Sequence, residues 1–288
     1  MSSLMQPVPA ATDGGTDRLA ELRGELDRLD DALHDDLMRR AEIVAQVAAL
    51  HAKGAVPLRP GREAAILRRL LGRHAGALPL QGVVRLWREL FSATVTMQRP
   101  FVLAVCDEED ALALAREHFG ALAPLHLHRS PAQALGQVAA GTAIAAILPV
   151  PAEGDAAARA WWTGLLHGHA REARLHIVAR LPFWAPRPEG APRGQAFVVT
   201  AAFPDPSGMD RSLLAIEVPQ ESSRGRLAQA LAAAGLSAGS TILRRDPGIT
   251  RALVDIDGFL EEADPRLAAI HPQPVVIGAY AVPVGEPP

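Results

Sequence analysis

Between residue 17 and about residue 52, apolar side chains recur in steps of three and four: Leu19, Leu22, Leu26, Leu29, Leu33, Leu37, Val44 and Val47. That spacing predicts one long amphipathic helix with a single gap in its apolar stripe, at position 40. Thr16 or Asp17 can cap the start, and Gly54 followed by Pro57 stops the pattern. A helix of roughly 35 residues is a rod of roughly 50 Å. A domain of about 100 residues cannot cover such a rod by itself. The pattern therefore asks for a partner, most simply a second copy of the chain.

After the loop GAVPLRP, the stretch GREAAILRRLLGRHAG predicts a second helix and LPLQGVVRLWRELFSATVTMQR a third, so residues 17–99 read as all-helical. The pattern changes at Arg99-Pro100. FVLAVCDEE, TAIAAILPV and ARLHIVARLPFW predict strands, the last ending at Pro182, and EDALALAREHFG and SPAQALGQVAAG predict helices. Strands alternating with helices predict an α/β domain with a mostly parallel sheet. RPEGAPRGQ, residues 187–195, is Pro/Gly-rich and predicts a loop or linker. From Arg211 the order is strand, helix, strand, turn at DPG, strand, helix, strand, a ferredoxin-like βαββαβ unit. The expected organisation is a disordered tail over 1–16, a helical domain over 17–99, an α/β domain over 100–194, and one further strand with the βαββαβ domain over 195–288.

The gap in the first stripe carries candidate chemistry. Arg40 and His51 are eleven residues apart, about 1100° of helical rotation, which returns to within about 20° of the same direction. Arg40, Val44, Val47 and His51 thus continue the leucine face. Burying a charge there costs several kcal/mol unless an opposite charge meets it. An anionic ligand held between helices would meet it. A plainer reading is equally open: Arg40 snorkels or pairs with Asp36, and His51 is a packed or surface histidine. Arg23 lies further back on the same helix, Arg62 and Glu63 open the second, and Thr94 and Gln98, four apart, share a face of the third.

Composition narrows the field. The chain is 49% hydrophobic and 21% charged with a net charge of -3, an ordinary globular balance that gives no reason to expect nucleic acid as a partner. The one cysteine, Cys106, excludes an internal disulfide framework and is expected to be a packed thiol. No window is long and apolar enough to span a membrane. MSSLMQPVPAATDGG has no basic and no apolar region of the kind a secretory signal needs, so the cytoplasm is the expected location. His126-Leu-His128 and His167-Gly-His169 each bring two imidazoles close, but no third ligand is in view, so no metal is expected. No Gly-rich nucleotide loop or Ser/His/Asp arrangement is present, and no cofactor is expected. Of the 29 Lys and Arg residues, only Lys53 is a lysine.

LRGELDRLD, RRAEIVAQVAALHAK, RPGREAAILRRL and LFSATVTMQ together resemble the all-helical chorismate mutases, and in particular the mutase domain fused to prephenate dehydratase in bacterial phenylalanine synthesis. The resemblance covers residues 19–98. It implies an interlaced homodimer, in agreement with the over-long first helix, whose sites draw on both chains. It also implies chorismate as the substrate. The opening arginine matches Arg23, contributed by the other chain, and the mid-helix arginine matches Arg40. The Arg-Glu pair matches Arg62 and Glu63, the terminal serine and glutamine match Thr94 and Gln98, and Arg59 falls in the loop beside the ligand. One departure stands out: His51 occupies the place of the family's lysine. Lys53, two residues on, is turned about 220° from Arg40 and faces away. The implied roles make Arg23, Arg40, Arg59, Arg62 and Thr94 substrate-binding, and Arg40, His51, Glu63 and Gln98 catalytic. Glu63 accepts the substrate hydroxyl, and Gln98 and His51 donate to the ether oxygen.

The remainder resembles prephenate dehydratase followed by an ACT domain, through HFG at 118–120, SPAQALGQVAAGTAIAAILPV, and VDIDGFLEEADPRLAAI with VIGAYAVP. Its chemistry does not carry over. The family's Gly-Pro-x-Gly-Thr loop is replaced by Cys106-Asp107-Glu108-Glu109, and its Thr-Arg-Phe triplet aligns with Gln195-Ala196-Phe197. In the ACT effector loop, Ser222-Ser223-Arg224 and Ile242-Leu243-Arg244 replace the family residues. The expected function is therefore a chorismate mutase with a degenerate tail. The rivals are a bifunctional mutase–dehydratase and a catalytically weak regulatory or binding protein of the same pathway.

Overall fold

The structure, a computed structural model, describes residues 13–50, 57–98, 101–167, 174–185 and 187–285. The chain divides into two compact units, residues 1–52 and 53–288.

The first unit is one helix, α1 (Asp13–Leu50), of 38 residues. It starts ahead of the expected position 17, so the last residues of the expected tail are helical. The stripe Leu19, Leu22, Leu26, Leu29, Leu33 and Leu37 is exposed, with Leu26 at 59% and Leu33 at 60%. Burying a leucine stabilises by about 1.5–3 kcal/mol, so six left open on one face make a surface built to be covered.

The second unit begins with α2 (Pro60–Gly72) and α3 (Leu80–Gln98). There follow β1 (Leu103–Cys106), α4 (Ala111–Phe119), β2 (Leu125–His128), α5 (Pro131–Ala139) and β3 (Ala145–Pro149). After a 3-10 helix (Trp161–His167) come β4 (His176–Leu181) and β5 (Ala196–Thr200). The last part is β6 (Asp210–Val218), α6 (Arg224–Ala233), β7 (Ala238–Asp246), β8 (Ile249–Asp257), α7 (Pro265–Ala268) and β9 (Val275–Ala281).

Among the described residues, nine strands form one sheet in the order β2-β1-β3-β5-β4-β9-β6-β8-β7. The expectation of a mostly parallel sheet is corrected. Only β1–β2, β1–β3 and β4–β9 pair parallel, and the other neighbours are antiparallel. Parallel neighbours need a crossover, usually a helix. The Pro/Gly-rich stretch before β5 supplies none, so β5 returns antiparallel to β4. The βαββαβ order appears as β6 to β9, and β9 joins it to the rest through Ile177 opposite Gly278. A side chain at Gly278 would come within 2.2 Å of the Ile177 carbonyl oxygen. Strand β2 and the 3-10 helix were not foreseen. The first is a short edge strand with alternating histidines, and the second is fixed by two buried tryptophans, Trp161 and Trp162.

Period-two alternation sorts the strand side chains between layers. Leu103, Val105 and Ile147 face α4, while Ala104, Ala146 and Leu148 join Trp161 and Trp162 on the other face. Leu227 and Leu231 of α6 and Leu267 of α7 cover the βαββαβ part. Helix α2 packs Ala64 and Leu67 with Phe91 of α3, Phe183 and Ala281. Two polar anchors fix α2 to the sheet. The Arg68 guanidinium donates to Ser207 Oγ at 2.8 Å, to the Met209 carbonyl at 3.0 Å and to the Val282 carbonyl at 2.5 Å. The Asp205 carboxylate accepts from the backbone N–H groups of Gly61 (3.1 Å) and Arg62 (2.9 Å). It thus caps α2 from a distant loop, favourably placed at the positive end of the helix dipole.

Two outcomes follow from this anchoring. A β-carbon at Gly61 would lie 2.0 Å from the Asp205 carbonyl oxygen, inside any real contact. Gly61→Ala is therefore expected to lower stability by about 1–3 kcal/mol, read from the denaturant midpoint. Asp205→Ala is expected to cost about 1 kcal/mol through loss of the cap. An unchanged midpoint in both variants would show that the loop does not hold α2.

Candidate active site

The residues singled out by the sequence fall on both units. On α1, Arg23 is exposed and Arg40 is half-buried. His51 and Lys53 lie outside the described residues.

On the second unit, Arg59, Arg62 and Glu63 gather at the start of α2. Pro60 at the first helical position pre-sets the turn. Arg59 is exposed, and its Nε donates to the Asp205 carboxylate at 3.4 Å. The Arg62 side chain is exposed, while its backbone N–H is taken by Asp205. Glu63 accepts from Arg88 Nη1 at 2.9 Å. Arg88, on α3, is only 4% exposed. Burial pulls the Arg88 pKa below its ordinary value, and the nearby carboxylates, Glu63 first, push it back up. With a guanidinium on one side, Glu63 is held as an oriented acceptor beside the exposed arginines of the same turn.

Thr94 and Gln98 lie on the last turns of α3, four residues apart. Thr94 is buried, and its hydroxyl donates to the Phe91 carbonyl at 2.8 Å. Gln98 is exposed and its amide donates back to the Thr94 carbonyl at 3.2 Å. The second unit therefore brings together the α2 group of Arg59, Arg62 and Glu63. It places Thr94 and Gln98 on one face of α3, whose neighbouring residues pack against α2.

Sequence reasoning missed Arg88. The signal was there: Arg88, Phe91 and Val95 follow a step of three and then four, and all three are buried. A charged residue in a buried stripe is the same anomaly that marked Arg40. Asp205 gave no such signal, because it reaches α2 from a loop far along the chain.

The dehydratase-like positions are tied up within the fold. Cys106 is buried, and burial, with help from Glu108, pushes its thiol up to about 11, so it stays protonated. Glu108 pairs with Arg159 at 3.3 Å. Gln195 accepts from Arg180 Nη2 at 3.1 Å. Phe197 packs in the core and lines a pocket of about 120 Å³ with Tyr280 and Asp255. Ligand cavities usually run from about 300 to 1,000 Å³. Of the histidine pairs, His126 is exposed, His167 Nε2 lies 3.2 Å from Glu217, and His169 is outside the described residues. Among the described residues, no three His, Cys, Asp or Glu side chains converge as a metal site would require. No described helix is long and apolar enough to cross a membrane.

Comparison with known proteins places these features. Residues 22–99 match the family model "Chorismate mutase type II". A bifunctional chorismate mutase/prephenate dehydratase of Stutzerimonas stutzeri is 32% identical over 112 residues, covering 36% of this chain and 31% of the relative. A protein of the same description from Pseudomonas aeruginosa is 30% identical over 142 residues, covering 46% and 39%. The chain thus spans about a third of the length of these curated relatives. Among solved structures, a prephenate dehydratase from Arthrobacter aurescens in complex with L-Phe aligns with a TM-score of 0.49 at 15% identity, covering 65% of this chain and 92% of that one. The prephenate dehydratase of Streptococcus mutans aligns with a TM-score of 0.46 at 15% identity, covering 62% and 97%. The matched segment holds Arg23, Arg40, His51, Arg59, Arg62, Glu63, Thr94 and Gln98, and it runs across the boundary between the two units. By sequence, residues 22–99 are similar to the chorismate mutase type II domain.

Proposed function

We propose that the chain is a chorismate mutase, an isomerase that rearranges chorismate to prephenate as a homodimer, with a tail derived from a dehydratase and an ACT-like domain. The observation that carries this reading is the family match over residues 22–99, which spans every cationic and polar residue of the candidate site. The exposed leucine face of α1 supports the dimer, since a second α1 would cover it.

The chemistry suits such a site. The rearrangement is unimolecular and pericyclic, and requires neither nucleophile nor cofactor. Catalysis comes from holding a dianion in its folded conformation and from donors aimed where charge develops. Arg40, Arg62, Arg59 and Arg23 of the second chain would bind the carboxylates, because a guanidinium fork matches a carboxylate through two bonds. Glu63, steadied by Arg88, would accept the substrate hydroxyl. Thr94 would support binding. Gln98 would be the neutral donor to the ether oxygen and His51 the cationic one.

The bifunctional alternative is disfavoured by the acidic Asp107-Glu108-Glu109 run and by Gln195-Ala196 in the dehydratase-like part. The pseudoenzyme alternative rests on His51 replacing a lysine.

Loss of chorismate absorbance on adding the purified chain tests the reading. Turnover is expected, and Gln98→Ala should reduce it by roughly a hundredfold or more, the scale of a lost transition-state donor. An imidazolium is more populated at low pH, so the rate should rise as pH falls from 8 towards 6. In His51→Lys the rate should be higher and nearly flat over that range. No turnover at any pH between 5 and 8 would favour the pseudoenzyme, and conversion of prephenate to phenylpyruvate would restore the bifunctional reading.

A further inference from the structure

A second cavity, of about 380 Å³, lies between α3, the end of α4 and residues 182–184 and 187–191. Its volume is that of a small-ligand site. Val84, Leu114, Pro182 and Phe183 give it apolar walls, and Phe183 stacks under the Arg88 guanidinium, 5.0 Å from ring centroid to Cζ. Charge in the lining is unequal, with Arg85, Arg88, Arg116 and Arg187 set against Glu89 and Glu117. Arg88 is matched by Glu63, and Arg187 by Glu117 through two hydrogen bonds of 2.5 Å. Arg116 donates to the Ala121 carbonyl, and Glu89 accepts from the Ala121 N–H at 2.9 Å. Among the described residues Arg85 and Arg116 have no carboxylate partner, so the cavity keeps an excess of positive charge.

Two donors in the lining residues lack an acceptor. The Trp184 indole N–H and the Arg187 Nε–H are both buried and make no hydrogen bond among the described residues. Buried donors nearly always find a partner, and leaving one without is costly. The remaining titratable group, His118, is buried, and burial together with Arg88 lowers its pKa well below the ordinary value. It is therefore neutral, and it adds no negative charge to oppose an anion.

We infer that this cavity binds a small organic monocarboxylate with an apolar body. The carboxylate sits towards Trp184, Arg187 and Arg85, and the body lies against Val84, Leu114 and Phe183. None of the candidate active-site residues lines this cavity, which meets that site only through the Arg88–Glu63 pair, and its existence does not depend on the mutase reading.

Benzoate is the probe, followed through the indole N–H signals of the full chain labelled with ¹⁵N; the chain has 4 tryptophans. Benzoate should move the Trp184 signal, assigned by its loss in Trp184→Phe, to saturation. Benzamide, of the same shape without the charge, should not move it at the same concentration. Arg187→Gln should weaken benzoate about tenfold, the loss of a charge-assisted contact, and Arg85→Gln should weaken it less. Unmoved signals from the other tryptophans report that these variants remain folded. Absence of a saturable Trp184 shift, equal binding of benzamide, or unchanged affinity in both arginine variants would overturn the inference.

Discussion

Burying a guanidinium is among the more expensive things a fold can do, and the arrangement of α2 and α3 depends on doing it at Arg88. The cost is offset chiefly because Glu63 meets the charge at 2.9 Å inside a shell of Phe91 and Phe183. That one pair ties the first turn of α2 to the middle of α3. It also orients the carboxylate that the chorismate mutase resemblance assigns to the substrate hydroxyl. Phe183 belongs to the segment after β4, so the shell around the pair is shared between α3, which supplies Phe91, and the sheet part.

The same dependence appears at the other contacts of α2. Arg68 is satisfied by Ser207 and by the carbonyls of Met209 and Val282, and the helix start is capped by Asp205. The sheet region thus supplies the anchors of the helix that carries Arg59, Arg62 and Glu63. The match over residues 22–99 crosses the division between the compact units.

Much of this was legible in the sequence where local physics decides. The leucine period gave α1, the Arg99-Pro100 break separated helices from strands, and the βαββαβ order from Arg211 stands in the structure. The failures share a cause. Strand direction depends on what connects the strands, and the helix-free return into β5 made the sheet mixed. Asp205 caps α2 from 144 residues away, and no local pattern announces such a contact. Arg88 was readable but overlooked, a charge in the buried stripe with Phe91 and Val95. Of the candidate site, Glu63, Thr94 and Gln98 could be named from spacing and resemblance, whereas what holds them in place could not.

The most direct test of this account is a double-mutant cycle on the pair at its centre, with Glu63→Gln, Arg88→Met and the double variant followed by denaturant unfolding. The account predicts a coupling energy of about 2–3 kcal/mol, because each single change strands a largely buried charge without its partner. Effects of the two changes that add to within about 0.5 kcal/mol would contradict it.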